Sequence, residues 1–86
     1  MSAPKTITVF GSSRPRDGHP DYLEALALGR ALAEKGFAVC TGGYGGVMEA
    51  VSRGAKEAGG EVLAVTAAFF RSRANPWVDV EIRVAT

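Results

Sequence analysis

Eleven of the 86 residues are glycine, and four of these glycines stand within the five-residue run 42–46, Gly-Gly-Tyr-Gly-Gly. The segment before this run, residues 37–41, is short and has no polar alternation, which is typical of a strand buried on both faces of a parallel sheet. The segment after it, residues 46–58, carries its small and apolar residues at helical spacing. The glycines therefore mark a turn from a strand into a helix, and this limits the chain to folds built from β-α units.

The remaining sequence continues the same alternation of strands and helices. Further strands are predicted over residues 6–10, 61–66 and 78–84, and a further helix over residues 20–35, which begins with a proline and ends before a glycine. The last strand alternates apolar and charged residues, as a half-exposed strand at a sheet edge does. The order β-α-β-α-β-loop-β predicts an α/β fold with a parallel sheet between helix layers.

Each predicted helix has one apolar stripe, which we expect to face the sheet. In the first helix the stripe consists of Ala25, Leu28, Gly29 and Leu32. In the second helix Ser52 falls among the charged residues, opposite a stripe that consists of Val47, Ala50, Val51, Gly54 and Ala58.

Composition narrows the classes of partner. Ten Lys and Arg against nine Asp and Glu leave a net charge of +1, which predicts neither a nucleic-acid nor a membrane partner. The single cysteine, Cys40, excludes a disulfide within the chain and a multi-cysteine zinc site, and its place in a buried strand predicts a core role. No metal and no resident cofactor are predicted. The first apolar segment is too short for a signal peptide, so we expect a cytoplasmic protein.

Ligands of open parallel sheets bind beyond the carboxyl ends of the strands. These ends are Gly11-Ser12-Ser13, residues 42–46, and the segment from Thr66 onward, and we expect them to share one rim. Glycines let backbone N–H groups approach a ligand, and the positive end of the following helix favours an anion, most commonly phosphate. The alternative is a tight turn at which a helix and a strand pack closely.

Two common phosphate-binding motifs do not fit. The pattern G-x-x-x-x-G-K-[ST] is absent, and G-x-G-x-x-G counted from Gly43 fails because Met48 occupies the third glycine position. Cys40 and Thr41 stand where a dinucleotide site carries an acidic residue. A mononucleotide or another phosphorylated ligand is therefore favoured.

Several polar side chains near these loops have two interpretations. Glu49 accepts a ribose hydroxyl or complements the dipole of its helix. His19 contacts a ligand or forms the helix entry, and Tyr44 stacks on a base or packs over the loop. Four arginines also have two interpretations: they bind a phosphate group, or they are ordinary exposed residues of their loops. These are Arg14, Arg16, Arg71 and Arg73.

Three stretches together resemble the LOG ("lonely guy") family: residues 9–13 (Val-Phe-Gly-Ser-Ser), residues 41–50 (Thr-Gly-Gly-Tyr-Gly-Gly-Val-Met-Glu-Ala) and residues 59–66 (Gly-Gly-Glu-Val-Leu-Ala-Val-Thr). The resemblance implies a Rossmann-like three-layer fold with a parallel sheet, a homodimer, and hydrolysis of a nucleoside 5′-monophosphate at its N-glycosidic bond. The nucleotide-binding positions that it implies are Gly11, Ser12, Ser13, Gly42, Gly43, Gly45, Gly46 and Met48, to which Tyr44 adds a base contact.

The resemblance covers only the amino-terminal half of a family member. The family's catalytic arginine and the glutamate of its P-G-G-x-G-T-x-x-E motif match no position among residues 1–86, which we interpret as one part of a single nucleotide-binding domain. We therefore predict nucleotide binding without turnover. The alternatives are a non-enzymatic carrier of a nucleotide or phosphorylated cofactor, since molybdenum-cofactor carriers share a related fold, and a half-domain that needs a partner chain.

Overall fold

The computed structural model describes residues 5–67 and 74–84. In chain order these form β1 (Thr6–Thr8), α1 (Pro20–Glu34), β2 (Ala38–Thr41), α2 (Val47–Glu57), β3 (Val62–Ala67) and β4 (Val80–Val84). The strands make one parallel sheet in the order β1-β2-β3-β4. The predicted α/β fold with a parallel sheet is confirmed, and β4 lies at an edge as its alternating pattern predicts.

Both helices lie on the same face of the sheet. Each connection moves one strand along in the same direction, so right-handed crossovers bring α1 and α2 to one side, where they pack against each other and against β2. The described residues thus supply two of the three expected layers, with principal extents of 35 × 34 × 17 Å. Within these residues no helix has both the length and the apolar character needed to cross a membrane.

α1 begins at the predicted proline and is capped by the residue before it. The Nδ1 atom of His19 accepts a hydrogen bond from the backbone N–H of Asp21 at 3.1 Å, so His19 is the helix-entry residue. Pro20 at the first position has no N–H that needs a partner. The helix ends at Glu34, and Gly36 follows in the left-handed conformation with φ 86°.

The two helices approach each other through reciprocal glycines. A Cβ atom at Gly29 would lie 2.0 Å from the carbonyl oxygen of Val51, and one at Gly54 would lie 2.0 Å from that of Leu26. This backbone-to-backbone contact sets the rotation of α1. Its buried residues are Tyr22, Ala25 and Gly29, whereas Leu28 is 46% exposed, so its predicted place in the core is wrong.

α2 buries one residue that its charge pattern placed on the polar side. Ser52 is fully buried, and its hydroxyl donates to the carbonyl oxygen of Met48 at 2.8 Å, which satisfies the polar group inside the helix. The helix packs its small residues on the sheet, where Val39 and Val62 complete a core with Val51. A small hydroxyl at this position keeps the packing close without an unpaired donor.

β1 is shorter than predicted. It ends at Thr8, and although the N–H of Val9 still donates to the carbonyl oxygen of Cys40 at 2.9 Å, the side chain of Phe10 is 89% exposed. The chain then turns at Gly11, where a Cβ atom would lie 2.4 Å from Val47 Cγ1. The close approach of this loop to α2 ends the strand.

Candidate functional site

The carboxyl ends of β1, β2 and β3 meet at one rim of the sheet, as the parallel arrangement requires. The N–H of Val47 donates to the carbonyl oxygen of Ser12 at 2.8 Å, which joins the loop after β1 to the start of α2. A Cβ atom at Gly43 would lie 3.0 Å from the methyl carbon of Thr66, so the loop after β2 touches β3. We call residues 42–46 the glycine loop.

Asn75, in the connection between β3 and β4, holds the glycine loop from the other side. Its side-chain amide donates to the carbonyl oxygens of Gly43, at 3.1 Å, and Tyr44, at 2.8 Å, and its backbone N–H donates to that of Gly43 at 2.6 Å. Its Oδ1 atom in turn accepts from the backbone N–H of Trp77 at 3.0 Å. These bonds satisfy the carbonyl groups of Gly43 and Tyr44 and hold the middle of the glycine loop in place.

The first part of the glycine loop is explained by packing. Gly43 has φ 82°, and a Cβ atom there would lie 2.8 Å from the Ala64 side chain. At Gly42 the added atom would meet the sulfur of Met48 at 2.8 Å. Because glycine is required at position 43 by the close approach to β3, the close-packing interpretation of the sequence holds for this half of the loop.

The second part of the loop presents unpaired backbone donors. Gly46 is the N-cap of α2, with φ 66° and no side chain to bond the first helical N–H groups. In the described part of the chain, no acceptor is bonded to the N–H groups of Gly45, Gly46 and Met48. The positive end of the α2 dipole lies at the same place. Donors and dipole together favour an anion here.

A cleft of about 630 Å³ opens beside these donors. Gly45 and Gly46 form part of its wall, and Ser13, Arg14 and Arg16 from the loop after β1 form another part. The arginine side chains add positive charge and planar donors that suit an oxyanion. A neighbouring cleft, which shares both arginines, includes Ser12.

One of the carboxylates that line the cleft is held by a buried tyrosine. The Oε2 atom of Glu49, in the first turn of α2, accepts a hydrogen bond from the hydroxyl of Tyr22 at 2.9 Å. Tyr22 is only 1% exposed, and its burial raises the pKa of the hydroxyl, which therefore stays protonated and donates. Glu49 forms no salt bridge within the described residues. It faces the cleft as a positioned acceptor.

Arg53 lies one turn further along α2 and connects this region to the loop after β1. Its guanidinium group donates to Asp17 at 3.1 Å and to Glu57 at 3.3 Å, and it lies 5.7 Å from the ring centre of Trp77. Hydrogen bonding to Tyr22, Glu57 and Asp17 raises the pKa of Arg53 above the already high value of an ordinary arginine, so its guanidinium group stays cationic. It holds the arginine-bearing loop against α2.

The predicted site residues thus occupy different places. Ser13, Gly45 and Gly46 line the 630 Å³ cleft. Ser12 shapes its own loop, because its Oγ atom accepts from the N–H of Arg14 at 3.1 Å. Gly11, Gly42, Gly43 and Met48 do not line that cleft and shape the loops around it.

Other side chains considered from the sequence are placed as follows. The hydroxyl of Tyr44 accepts from the backbone N–H of Ala67 at 3.4 Å, so this contact is with the end of β3. Arg71 and Arg73 lie outside the described residues. Within the described residues, no group of three or more His, Cys, Asp and Glu side chains could hold a metal ion.

Three residues around the cleft were not predicted from the sequence: Tyr22, Arg53 and Asn75. Tyr22 had a usable signal, because it falls three residues before Ala25 on the buried stripe of α1 and a buried tyrosine needs a partner for its hydroxyl. Asn75 had none, since the carbonyl groups that its side chain bonds lie 31 or 32 residues away. For Arg53 the spacing indicates only the pair with Glu57, and its contact with Asp17 spans 36 residues.

Comparison with known protein families gives one match over nearly the whole chain. The model of the SLOG cluster4 family matches residues 4–86. An uncharacterized protein of Archaeoglobus fulgidus is 50% identical over 44 residues, which are 51% of this chain and 29% of that protein.

Solved structures share the fold over about half of their own length. The X-ray structure of TM1055 has a TM-score of 0.77 and 37% identity, covering 94% of this chain and 48% of that one. The molybdenum cofactor carrier protein of Chlamydomonas reinhardtii has a TM-score of 0.79 and 28% identity, covering 96% and 50%. The molybdenum cofactor binding protein of Rippkaea orientalis has a TM-score of 0.76 and 30% identity, covering 95% and 50%. The sheet described above is therefore a Rossmann-like sheet of the LOG type.

Proposed function

The chain belongs to the SLOG cluster4 family, and from this premise we propose that its glycine-loop cleft binds the phosphate group of a nucleoside 5′-monophosphate. The observation that carries the proposal is a pair of backbone N–H groups, at Gly45 and Gly46, that have no acceptor among the described residues. They lie at the start of α2 and beside a cleft that Arg14 and Arg16 also line. Backbone donors, a helix dipole and guanidinium groups are the combination by which proteins hold phosphate.

The presence of Glu49 in the lining of the cleft supports a ligand that carries hydroxyl groups. A phosphate alone would leave the carboxylate of Glu49 facing a second negative charge, whereas a ribose presents donors to it. Tyr22 fixes one carboxylate oxygen and leaves Oε1 without a partner among the described residues. We therefore assign phosphate to the glycine-loop side and the sugar hydroxyls to the Glu49 side.

Within the described residues the site is one for binding. Two carboxylates line the cleft, and both are already engaged: Glu49 accepts a hydrogen bond from Tyr22, and Asp17 pairs with Arg53. Cleavage of a glycosidic bond needs a group that assists an oxocarbenium-like transition state or the attacking water. The 86-residue chain is accordingly proposed to bind nucleotide and to leave the glycosidic bond intact.

Calorimetric titration of the chain with AMP, followed by chromatography for free adenine, tests this function. We expect saturable binding that inorganic phosphate displaces, and no adenine. The double variant R14Q/R16Q should weaken binding, while R30Q, which removes an exposed arginine paired with Glu34 on α1, should not. Absence of AMP binding would refute the nucleotide proposal, and release of adenine would refute the claim of binding without turnover.

A second candidate is a carrier of a phosphorylated pterin cofactor. Two of the solved relatives are named as molybdenum cofactor carrier or binding proteins, and a pterin ring would also place N–H donors against Glu49. The test is to incubate the chain with molybdenum cofactor released from a molybdoenzyme and to measure pterin fluorescence in the re-purified protein. Retention of pterin by a chain that does not bind AMP would favour the carrier.

A further inference from the structure

Among the residues that the structure describes, no helix covers one face of the sheet. Val62, Ala64 and Thr66 of β3 are buried beneath the helices, so the alternate residues of that strand point to the other side. In the parallel register Leu63 pairs with Val80, and Val65 pairs with Ile82, which places all four side chains on this side. We call Leu63, Val65, Val80, Ile82 and Val84 the open face.

The open face is apolar and exposed. Val65 is 44%, Val80 48% and Ile82 53% exposed. The charged residues of β4, Glu81 and Arg83, are on the helix side of the strand, where Glu81 accepts a hydrogen bond from the hydroxyl of Thr66. β4 thus keeps its charges on one side and its apolar residues on the other, and a strand with this pattern packs its apolar side against another protein layer.

The β1 edge of the sheet also has exposed apolar residues beside it. β1 pairs with β2 alone among the described strands, and beside it a cleft of about 600 Å³ is lined in part by Val9, Phe10 and Leu28. Phe10 is 89% exposed and Leu28 46%. All-parallel sheets are found with helices on both faces, so we expect a single partner layer to cover both this edge and the open face.

The lengths of the solved relatives indicate what this partner layer is. Their chains are about twice as long as the part that matches, with 48% of TM1055 and 50% of the Chlamydomonas reinhardtii carrier covered. We infer that the open face and the β1 edge together dock an α/β half equivalent to the unmatched half of these relatives. One second copy of this chain covers only one of the two surfaces, because a two-fold dimer through the β1 edge leaves the open faces bare, and one through the open faces leaves the β1 edges unpaired.

Co-expression of the chain with the unmatched half of TM1055, supplied as a separate tagged polypeptide, tests the inference. We expect the two to co-purify in a 1:1 complex. The variant V65K/I82K places two charges in the docked layer and should reduce the co-purified amount at least about tenfold, since an ion buried in an apolar contact is costly. The control L23K alters a leucine of α1 that is 50% exposed and lines neither the core cluster nor the β1-edge cleft, and it should co-purify normally.

Each other outcome overturns the inference. Co-purification that V65K/I82K leaves intact would show that the open face is not the docking surface. A failure of wild-type chain to co-purify would reject this occupant. A homodimer of the chain alone that V65K/I82K converts to monomer, measured by light scattering, would identify a second copy as the occupant. Far-UV circular dichroism of the variants confirms folding, and none of these results depends on the proposed nucleotide site.

Discussion

Gly45 and Gly46 are neighbours in the glycine loop, but a methyl group added to each would meet different surroundings. At Gly46 the Cβ atom would lie 2.3 Å from the carbonyl oxygen of Ser12, on a backbone with φ 66°. At Gly45 its nearest contact would be the carbonyl oxygen of Ser13 at 3.7 Å, and the backbone is outside the left-handed region. One glycine is therefore required by the fold, and the other is available for ligand approach.

The prediction is that G46A destabilises the protein and G45A does not. Strain and steric overlap should cost G46A about 2 to 3 kcal/mol, while G45A should stay within about 0.5 kcal/mol of the wild type in urea unfolding. The methyl group of G45A would stand in the cleft, so AMP binding should weaken at unchanged stability. Equal AMP affinity for G45A and wild type would contradict the assignment of phosphate to this half of the loop.

A second prediction separates the two partners of the Tyr22–Glu49 hydrogen bond. Y22F removes the hydroxyl that positions the carboxylate, and E49Q keeps the shape of the side chain but removes its charge. Both should weaken binding of AMP, by about 1 to 2 kcal/mol for E49Q, because a charged acceptor is replaced by a neutral one. Binding of inorganic phosphate should be unchanged or stronger, since it has no sugar. Calorimetry with both ligands checks this, and equal losses for AMP and phosphate would argue against a sugar contact.

At the scale of single residues, the sequence pointed to the donors but not to the groups that hold them. The glycine run identified the loop because absent side chains are visible in a sequence. Asn75 fixes that loop from 31 or 32 residues away, and nothing local distinguishes it from an ordinary turn asparagine. Local pattern thus finds backbone features, while side-chain partners depend on tertiary contacts.

The helix pair depends on its reciprocal glycines. In α1 and α2, Ala at position 29 or 54 would place Cβ 2.0 Å from a carbonyl oxygen of the other helix. We expect G29A and G54A each to destabilise the protein by about 2 to 3 kcal/mol, even though alanine is the better helix former. For a domain of this size the melting temperature should fall by about 10 °C or more. The matched control A27G changes an exposed position of α1 and should cost only about 1 kcal/mol.

The same contact explains why periodicity misplaced Leu28. A stripe that contained Ala25, Leu28, Gly29 and Leu32 satisfied helical spacing, but spacing does not say which part of the stripe meets the closest neighbour. Gly29 determines which part of the stripe is buried, because only a residue without a Cβ atom allows the two helix backbones to touch. For β4 the alternation gave the correct strand and edge position, while the direction of its apolar side could be read only from the pairing with β3.

At the scale of the whole molecule, the order of elements was enough to predict the parallel sheet, because short β-α-β connections permit few arrangements. It was not enough to show which layers these residues complete. Both crossovers run in one direction, so their helices share a face, and the principal extent of 17 Å reflects one sheet and one helix layer. The proposed glycine-loop site draws on these two layers alone, because the residues that line its cleft all belong to the described part of the chain.

Asp79 links three elements of this assembly, and it makes the stability of the whole molecule depend on pH. Its carboxylate accepts hydrogen bonds from Lys56 of α2 and, at 2.8 Å, from the N–H of Val62 at the start of β3. The bond from Lys56 and that from Val62 hold the pKa of Asp79 below its ordinary value of 3.8, against the opposing effect of burial. The stabilisation is therefore present above the unfolded-state pKa and is lost as the pH falls through the lower folded-state pKa.

We expect D79N to be less stable than the wild type by about 1 to 2 kcal/mol at neutral pH, because a hydrogen bond to a charged group is weakened. The difference should shrink as the pH is lowered below about 4, when the wild-type carboxylate also becomes neutral. Urea unfolding at a series of pH values measures it, and a double-mutant cycle with K56A tests the pair directly, since the coupling energy should fall over the same range. A difference between D79N and wild type that stays constant from neutral to acidic pH would show that Asp79 acts through shape and not through its charge.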